Sequence, residues 1–270
     1  MKTNLFPFVL IPFLFLISCE RDNFIDEPFD GVFLKEVRAE DIVYYQYTYT
    51  NAGFISEEKS KFYYTNHNYN SHNQLVQSNH YFDMRLTSST SYVVDEALKR
   101  TEWVSPENTQ KDSYFSFEYN ELGRLEKRIS NRLNTDYKWF DIFSFNGAGE
   151  IVKRTSYHEN KVSVYDEYFY DSSGNMKKAE RYLILENGTP ELQTTTEYEF
   201  DNKHNPYLSF SKLMIPGQNT NPNNIVKETY TLHFEVDKFI DKVQIKEYGY
   251  EYNLMGYPVK RSDGFEYVYY

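Results

Sequence analysis

Residues 117–125 read Phe117–Glu118–Tyr119–Asn120–Glu121–Leu122–Gly123–Arg124–Leu125, and the same sentence recurs along the chain. In general form it is aromatic, any residue, aromatic, Asn or Asp, two residues, Gly, one residue, aliphatic. A second copy reads Tyr168–Phe169–Tyr170–Asp171–Ser172–Ser173–Gly174–Asn175–Met176. Alignment on the Asn/Asp position gives seven copies: Thr50/Gly53, Asn70/Asn73, Asn120/Gly123, Asn146/Gly149, Asp171/Gly174, Asp201/His204 and Asn253/Gly256. From Gly123 onward the glycine positions are 26, 25 and 30 residues apart, and gaps of 50 and 52 flank them. Each wide gap reads as two units with one worn copy. Val94–Asp95–Glu96–Ala97–Leu98 and Val236–Asp237 are the candidates for those copies. A repeat of this length decides the fold before any local propensity does.

The residue types explain the spacing. One position before the Asn/Asp stand Tyr49, Tyr69, Tyr119, Phe145, Tyr170, Phe200 and Tyr252. Three before stand Tyr47, Phe117, Phe143, Tyr168, Tyr198 and Tyr250, with His67 as the exception. Six of the seven intervening residues are polar or small, so each stretch alternates as a half-buried strand does. Asn or Asp opens a turn by bonding its own downstream backbone. Gly three residues later takes positive φ at no steric cost, and Asn73 is the next-best residue there. His204 suits it less, so its turn is expected to be the weakest. Ile55, Leu75, Leu125, Ile151 and Met176 start the return strands. Each unit is thus a β-hairpin, and a period of ~25 residues holds two strands and two turns. Asn70, Asn73, Asn120, Gly123, Asn146, Gly149, Asp171, Gly174, Asp201, Asn253 and Gly256 are read as structural turn residues.

This pattern resembles the YD repeat of RHS-type proteins, and more closely that of small YD-repeat lipoproteins of Bacteroidetes. The resemblance spans roughly residues 44–262 and rests on the seven copies. It implies stacked hairpins. The large RHS shells enclose a toxin, but seven to nine units are too few to close such a shell, so toxin delivery is not carried over.

The N-terminus gives an address. Met1–Lys2–Thr3–Asn4 precedes an apolar run from Leu5 to Ile17, the form of an export signal rather than a spanning helix. Pro7 and Pro12 also oppose a stable membrane helix. Leu16–Ile17–Ser18–Cys19 resembles a bacterial lipobox. It implies cleavage before Cys19, which would then carry a diacylglycerol and an N-acyl chain such as palmitate; several chains give lasting attachment. Cys19 is the only cysteine, which excludes intramolecular disulfides and Cys-based metal sites. Glu20, Arg21 and Asp22 resemble the surface-export tethers of Bacteroidetes lipoproteins. The expected organisation is a lipoprotein signal peptide at 1–18, a lipidated tether and lead-in at 19–38, and a repeat domain at 39–270. The expected location is the outer membrane, lipid-anchored and facing the cell surface.

The full chain carries a formal charge of −11; without Lys2 the mature part has 28 basic against 40 acidic side chains, or −12. An acidic surface argues against nucleic acid and anionic lipid as partners. With 27 Tyr and 21 Phe the chain has the aromatic content that disordered chains lack. Lys127–Arg128, Lys153–Arg154, Lys177–Lys178 and Lys260–Arg261 lie on return strands, and Glu118, Glu167, Glu197, Glu199 and Glu251 on incoming ones. That arrangement reads as a charged ladder on the wet face, worth ~0.2–1 kcal/mol per pair, and it limits edge-to-edge aggregation.

Catalytic signatures are missing from the sequence: there is no Gly-x-Ser-x-Gly, His-Glu-x-x-His, Walker loop or dinucleotide fingerprint. His67, His72 and His80 fall in an Asn-rich stretch that reads as solvated turn rather than a metal site. Asp166 and Glu167 face opposite sides of a strand, the wrong geometry for acid/base partners. Residues 186–191 and 212–226 break the rhythm, as recognition loops or as tolerated insertions. Trp103 and Trp139 are candidate ligand contacts, since Trp stacks on sugar rings, with core packing as the competing reading. The closing strand-like Phe265–Tyr270 resembles an outer-membrane barrel signal, but the Glu/Lys-rich faces oppose lipid exposure.

The expected fold is all-β: an antiparallel meander of repeated β-hairpins in one curved sheet, an open spiral or partly closed barrel. The expected function is a non-catalytic cell-envelope lipoprotein that binds or scaffolds an extracellular polymer, such as a glycan, or an envelope protein. No cofactor and no metal are expected. A purely structural envelope protein and a glycan hydrolase with carboxylates from separate hairpins are the alternatives.

Overall fold

The computed structural model describes residues 31–61, 63–82, 110–133, 136, 138–213, 216–217, 220–233 and 242–270. Cys19, Trp103 and both worn-copy candidates lie outside these residues. Seventeen strands make one antiparallel sheet. The first five are β1 (Leu34–Ala39), β2 (Ile42–Tyr49), β3 (Ile55–Ser60), β4 (Tyr63–Tyr69) and β5 (Leu75–Phe82). Then come β6 (Gln110–Tyr119), β7 (Leu125–Arg132), β8 (Lys138–Phe145), β9 (Ile151–His158), β10 (Lys161–Tyr170) and β11 (Met176–Ile184). The last are β12 (Pro190–His204), β13 (Asn223–Leu232), β14 (Lys242–Glu247), β15 (Tyr250–Tyr252), β16 (Pro258–Arg261) and β17 (Glu266–Tyr269). A 3-10 helix, Leu208–Leu213, lies between β12 and β13.

Strands adjacent in sequence pair with one another except β14 and β15, and β1 also pairs with β17. Residues 34–38, read with the tether from sequence, therefore stand inside the sheet. The ladder runs from β15 through β17 and β1 to β14 and does not close into a barrel. The chain passes from one edge to the other through Tyr248–Gly249, where Tyr248 N–H donates to the Val226 carbonyl (2.8 Å) and Ser262 N–H to the Gly249 carbonyl (2.8 Å). Two further bonds pin the edges: Tyr250 Oη to the Ile225 carbonyl (2.9 Å) and His204 N–H to the Gly256 carbonyl (3.1 Å).

The repeat turns share one hydrogen-bond set. Asn120 N–H donates to the Arg124 carbonyl and Gly123 N–H to the Asn120 carbonyl, both at 2.9 Å. Asn120 Oδ1 accepts from Leu122 N–H and Arg124 N–H at 3.0 Å. Asn70, Asn146, Asp171 and Asn253 do the same. Gly123 sits at φ 72° and Asn73 at 59°, the left-handed region that Gly enters without a Cβ clash and that Asn tolerates better than most residues.

Asp201 departs from this pattern. Its strand continues to His204, so no hairpin turn forms, and Asp201 Oδ1 accepts from Lys203 N–H (2.9 Å) and Asn224 N–H (3.1 Å). Across the wide gaps β5 pairs directly with β6, and β13 with β14; the worn-copy candidates between them lie outside the described residues. His67 and His80 are not solvated turn residues. His67 is buried on β4 and His80 half-buried on β5, while His72 alone lies exposed in the turn.

The core lies along the repeat-turn edge of the inner face. One cluster holds Leu75, Phe117, Leu125, Phe143, Ile151, Tyr168 and Met176; the other holds Leu34, Val37, Tyr47, Ile55, Phe210 and Tyr267. These are the aliphatic starters and inner aromatics of the repeat, together with Phe210 from the connection between β12 and β13. That connection folds inward. Phe210 meets Tyr47 edge-on at 4.7 Å, Asn205 Nδ2 donates to the Asn221 carbonyl (2.7 Å), and Met176 N–H donates to Asn221 Oδ1 (2.8 Å). A Cβ on Gly217, at φ 116°, would lie 3.2 Å from Met176 Cε. The described part of 212–226 is thus neither an exposed recognition loop nor an idle insertion: it lies beneath the curved sheet and covers apolar surface that the meander alone leaves bare.

Candidate functional site

Eight residues after each Asn/Asp, the return strand brings a side chain to the inner face, directly opposite the inner aromatic. The cross-strand pairs are Phe117 with Arg128, Phe143 with Arg154 and Tyr250 with Arg261. The next hairpin sets Asp141 opposite Arg128 and Asp166 opposite Arg154. Beyond the apolar core, the inner face therefore carries a belt of charge.

The belt is tightly bonded. Arg128 donates to Asp141 Oδ2 from Nε (2.9 Å) and Nη2 (2.6 Å), and Ser156 Oγ donates to Asp141 Oδ1 (2.6 Å). Arg154 donates to Asp166 Oδ2 from Nε (2.9 Å) and Nη2 (2.5 Å). Arg181 Nε takes Asp166 Oδ1 at 2.8 Å. Arg128 also lies over the Phe115 ring, 4.9 Å from its centre. Burial opposes the charge on Arg154, but Tyr168, Asp166 and Asp141 more than offset it and hold its pKa above the ordinary value. Burial pushes the Tyr168 and Tyr198 hydroxyls up to about 12. Both oxygens of Asp141 and of Asp166 already accept strong donors, so neither carboxylate is free to take a proton from a substrate.

Between β10 and β13 the belt borders an open cavity of about 540 Å³. Arg181, Thr194, Thr196, Tyr198 and Tyr230 are on its wall, with Asp166 and Arg154 at its base. The volume falls in the ~300–1,000 Å³ range of small-molecule sites.

On β4 and β5 the inner face holds two histidines. His67 Nδ1 bonds Ser78 Oγ (2.9 Å) and His80 Nδ1 bonds Thr65 Oγ1 (3.0 Å). Burial pulls His67 down to about 3, with the His80 charge adding to it, and burial also lowers His80. Nearby, burial raises the Glu58 carboxyl, although Tyr63 donates its hydroxyl to it.

Trp139 is half-buried on β8, on the inner face, stacked 4.7 Å from His158. The belt residues Arg128, Asp141, Arg154, Asp166 and Arg181 were missed as a site in the sequence. Their signal was the Lys-Arg dipeptide: on a strand, one of two adjacent residues must face inward. The outward partners form the expected ladder, with Lys153–Glu167 at 3.1 Å and Lys227–Glu199 at 2.8 Å. Lysines also cap outward rings, Lys153 lying 3.7 Å from the centre of Tyr165. Among the described residues, no helix is long and apolar enough to cross a membrane.

No protein-family model matches the chain, and no curated protein matches it in sequence. Solved structures do match in shape. A porin-like protein from Bacteroides vulgatus superposes with a TM-score of 0.52 at 12% identity, over 89% of this chain and 99% of that one. A porin-like protein from Bacteroides uniformis gives 0.40 at 11% identity, over 90% and 97%. The TcdB2-TccC3 toxin structure gives 0.27 at 12% identity, over 86% of this chain and 13% of that one. At 12% identity the likeness to the Bacteroides vulgatus protein is one of fold alone.

Proposed function

We propose that this chain is a non-catalytic module of the cell envelope that binds or scaffolds an extracellular polymer or protein partner, tethered by lipid on Cys19. The observation that carries the reading is the saturated inner belt. Its carboxylates are committed to guanidiniums and a hydroxyl, which suits a preorganised binding surface and not acid/base turnover. The sequence features read as export signal and lipobox, and the shape shared with the Bacteroides vulgatus porin-like protein, support an outer-membrane placement.

A thermal-shift screen of the full-length protein against neutral and acidic polysaccharides and peptidoglycan fragments tests the binding role. A ligand that binds only the folded state raises the melting temperature by mass action. A dose-dependent rise with one polymer class supports the reading. Cooperative melting that no polymer shifts, together with no partner in crosslinked intact envelopes, would leave the purely structural alternative. Metabolic labelling with an alkyne fatty acid tests the tether: the label is expected on the wild-type chain and lost in Cys19→Ala.

A further inference from the structure

The cavity between β10 and β13 is lined by two guanidiniums, Arg154 and Arg181, and two carboxylates, Asp166 and Glu180, and one of the guanidiniums keeps open donors. On the inner face three guanidiniums, Arg128, Arg154 and Arg181, share two carboxylates, Asp141 and Asp166. Asp141 is taken by Arg128 and Ser156. Asp166 has its side chain only 7% exposed and serves both Arg154 and Arg181. Arg181 is held through Nε alone, and neither of its Nη groups has a partner among the described residues. Its side chain is 45% exposed. The guanidinium is therefore fixed at one corner by a buried anion and presents its free donors to the cavity. The acids nearby are engaged: Glu180, which also lines the cavity, accepts from Lys178 (2.7 Å) and Tyr182 (3.0 Å), and Glu228 on β13 from Lys246 (3.3 Å).

A guanidinium with open donors on a cavity wall favours an anionic group over a neutral one. A guanidinium presents planar paired donors, which match the two oxygens of a carboxylate better than a point charge does. The rest of the wall suits a sugar: Tyr198 and Tyr230 line it with aromatic rings and Thr194 with a hydroxyl, while Thr196 bonds Tyr198. We propose that this cavity binds a uronic-acid residue of an acidic glycan, its carboxylate on Arg181 and its ring against Tyr198 and Tyr230. The proposal rests on the binding-module reading and names the ligand for it.

Calorimetric titration of the full-length protein with trigalacturonic acid, neutral galactotriose, a sulfated galactose oligomer and N-acetyl-dialanine tests it. Trigalacturonic acid is expected to bind at least about tenfold tighter than the other three, the worth of one charge-assisted hydrogen bond. Arg181→Gln, whose amide can still donate to Asp166, is expected to remove that preference while the protein still melts cooperatively, and Thr194→Val to weaken binding less. Equal affinity for galactotriose, or binding indifferent to Arg181→Gln, overturns the site. Equal affinity for N-acetyl-dialanine or the sulfated oligomer overturns the uronic-acid assignment. If trigalacturonic acid gives no heat while another polymer of the thermal-shift panel binds, this site is wrong and the binding-module reading stands.

Discussion

Tyr119 Oη donates a 2.9 Å hydrogen bond to the carbonyl of Leu75, 44 residues earlier in the chain. The tyrosine that precedes the repeat Asn/Asp does the same elsewhere: Tyr49 to Leu34 (2.6 Å), Tyr69 to Ile55 (2.8 Å) and Tyr170 to Ile151 (2.8 Å). Tyr269 reaches the Pro258 carbonyl at 2.6 Å in the same way. These hairpins are thus tied to the strand start of the hairpin before them, whereas Tyr252 donates to the Asp201 carboxylate instead. The preference for Tyr over Phe at this position has a physical cause: the ring fills the core while the hydroxyl satisfies a backbone acceptor. Tyr119→Phe is expected to lose ~0.5–1.5 kcal/mol. Phe145 is the natural copy without the hydroxyl, and by repeat equivalence its target is the Leu125 carbonyl. Phe145→Tyr is therefore expected to gain stability. Urea unfolding measures both; opposite signs support the tie, and two neutral results would sink it.

Asp166 and Glu167 are adjacent in sequence and face opposite environments. Asp166 is buried beneath two guanidiniums, whereas Glu167 meets Lys153 at 3.1 Å with both side chains about a third exposed. Removing Asp166 strands a largely buried Arg154, so Asp166→Ala is expected to cost ~3–5 kcal/mol. Glu167→Ala breaks only a surface pair and is expected to cost ~0–1 kcal/mol. Chemical denaturation of the two variants side by side checks the contrast. Similar losses would mean that the inner belt is wetter than its packing indicates.

The hairpins, their turns and their inner aromatics were legible because the repeat writes each one out in residue types with fixed backbone demands. Asn120 must bond its own turn and Gly123 must take positive φ, wherever the unit sits. The belt was not legible because it depends on pairing between repeats. Lys153–Arg154 says that one side chain faces inward, but not that Asp166 from the next hairpin will meet it. The wide gaps were opaque for a related reason: spacing counts residues and does not say which strands pair across them, as β5 does with β6. His67 shows the limit of composition: an Asn-rich neighbourhood suggested a turn, while its place three residues before Asn70 put it in the core.

Gly123 tests the turn logic. A Cβ at φ 72° crowds the backbone, so Gly123→Ala is expected to cost ~1–2 kcal/mol. Asn73 holds the same position at φ 59°. Gly123→Asn should therefore cost less than Gly123→Ala, although Asn is the bulkier residue. Thermal melts of the two variants give the order; an inverted order would mean that space, not φ, limits this turn.

His67 gives the protein an acid sensitivity of known sign. Burial holds it near 3 in the fold, while its ordinary value is 6.5. Above pH 6.5 both folded and unfolded states are neutral at this residue, so it adds no pH dependence. Below 6.5 the unfolded chain takes a proton that the folded one refuses, and stability falls as pH drops toward 3. The loss is ~1.4 kcal/mol per pH unit, or about 2–3 kcal/mol between pH 6 and 4. His80 is also lowered and acts in the same direction, whereas the raised Glu58 opposes them. The comparison that isolates His67 is therefore between wild type and a variant, not between two pH values. His67→Phe restores the aromatic that six other copies carry, and Ser78→Ala removes the hydroxyl it would strand. Urea unfolding of this double variant at pH 6 and pH 4 should show the gap between the two pH values narrowed by about 2–3 kcal/mol relative to wild type. An unchanged gap would place the His67 ring in contact with water, outside the packed layer that Tyr47, Phe117 and Phe143 define.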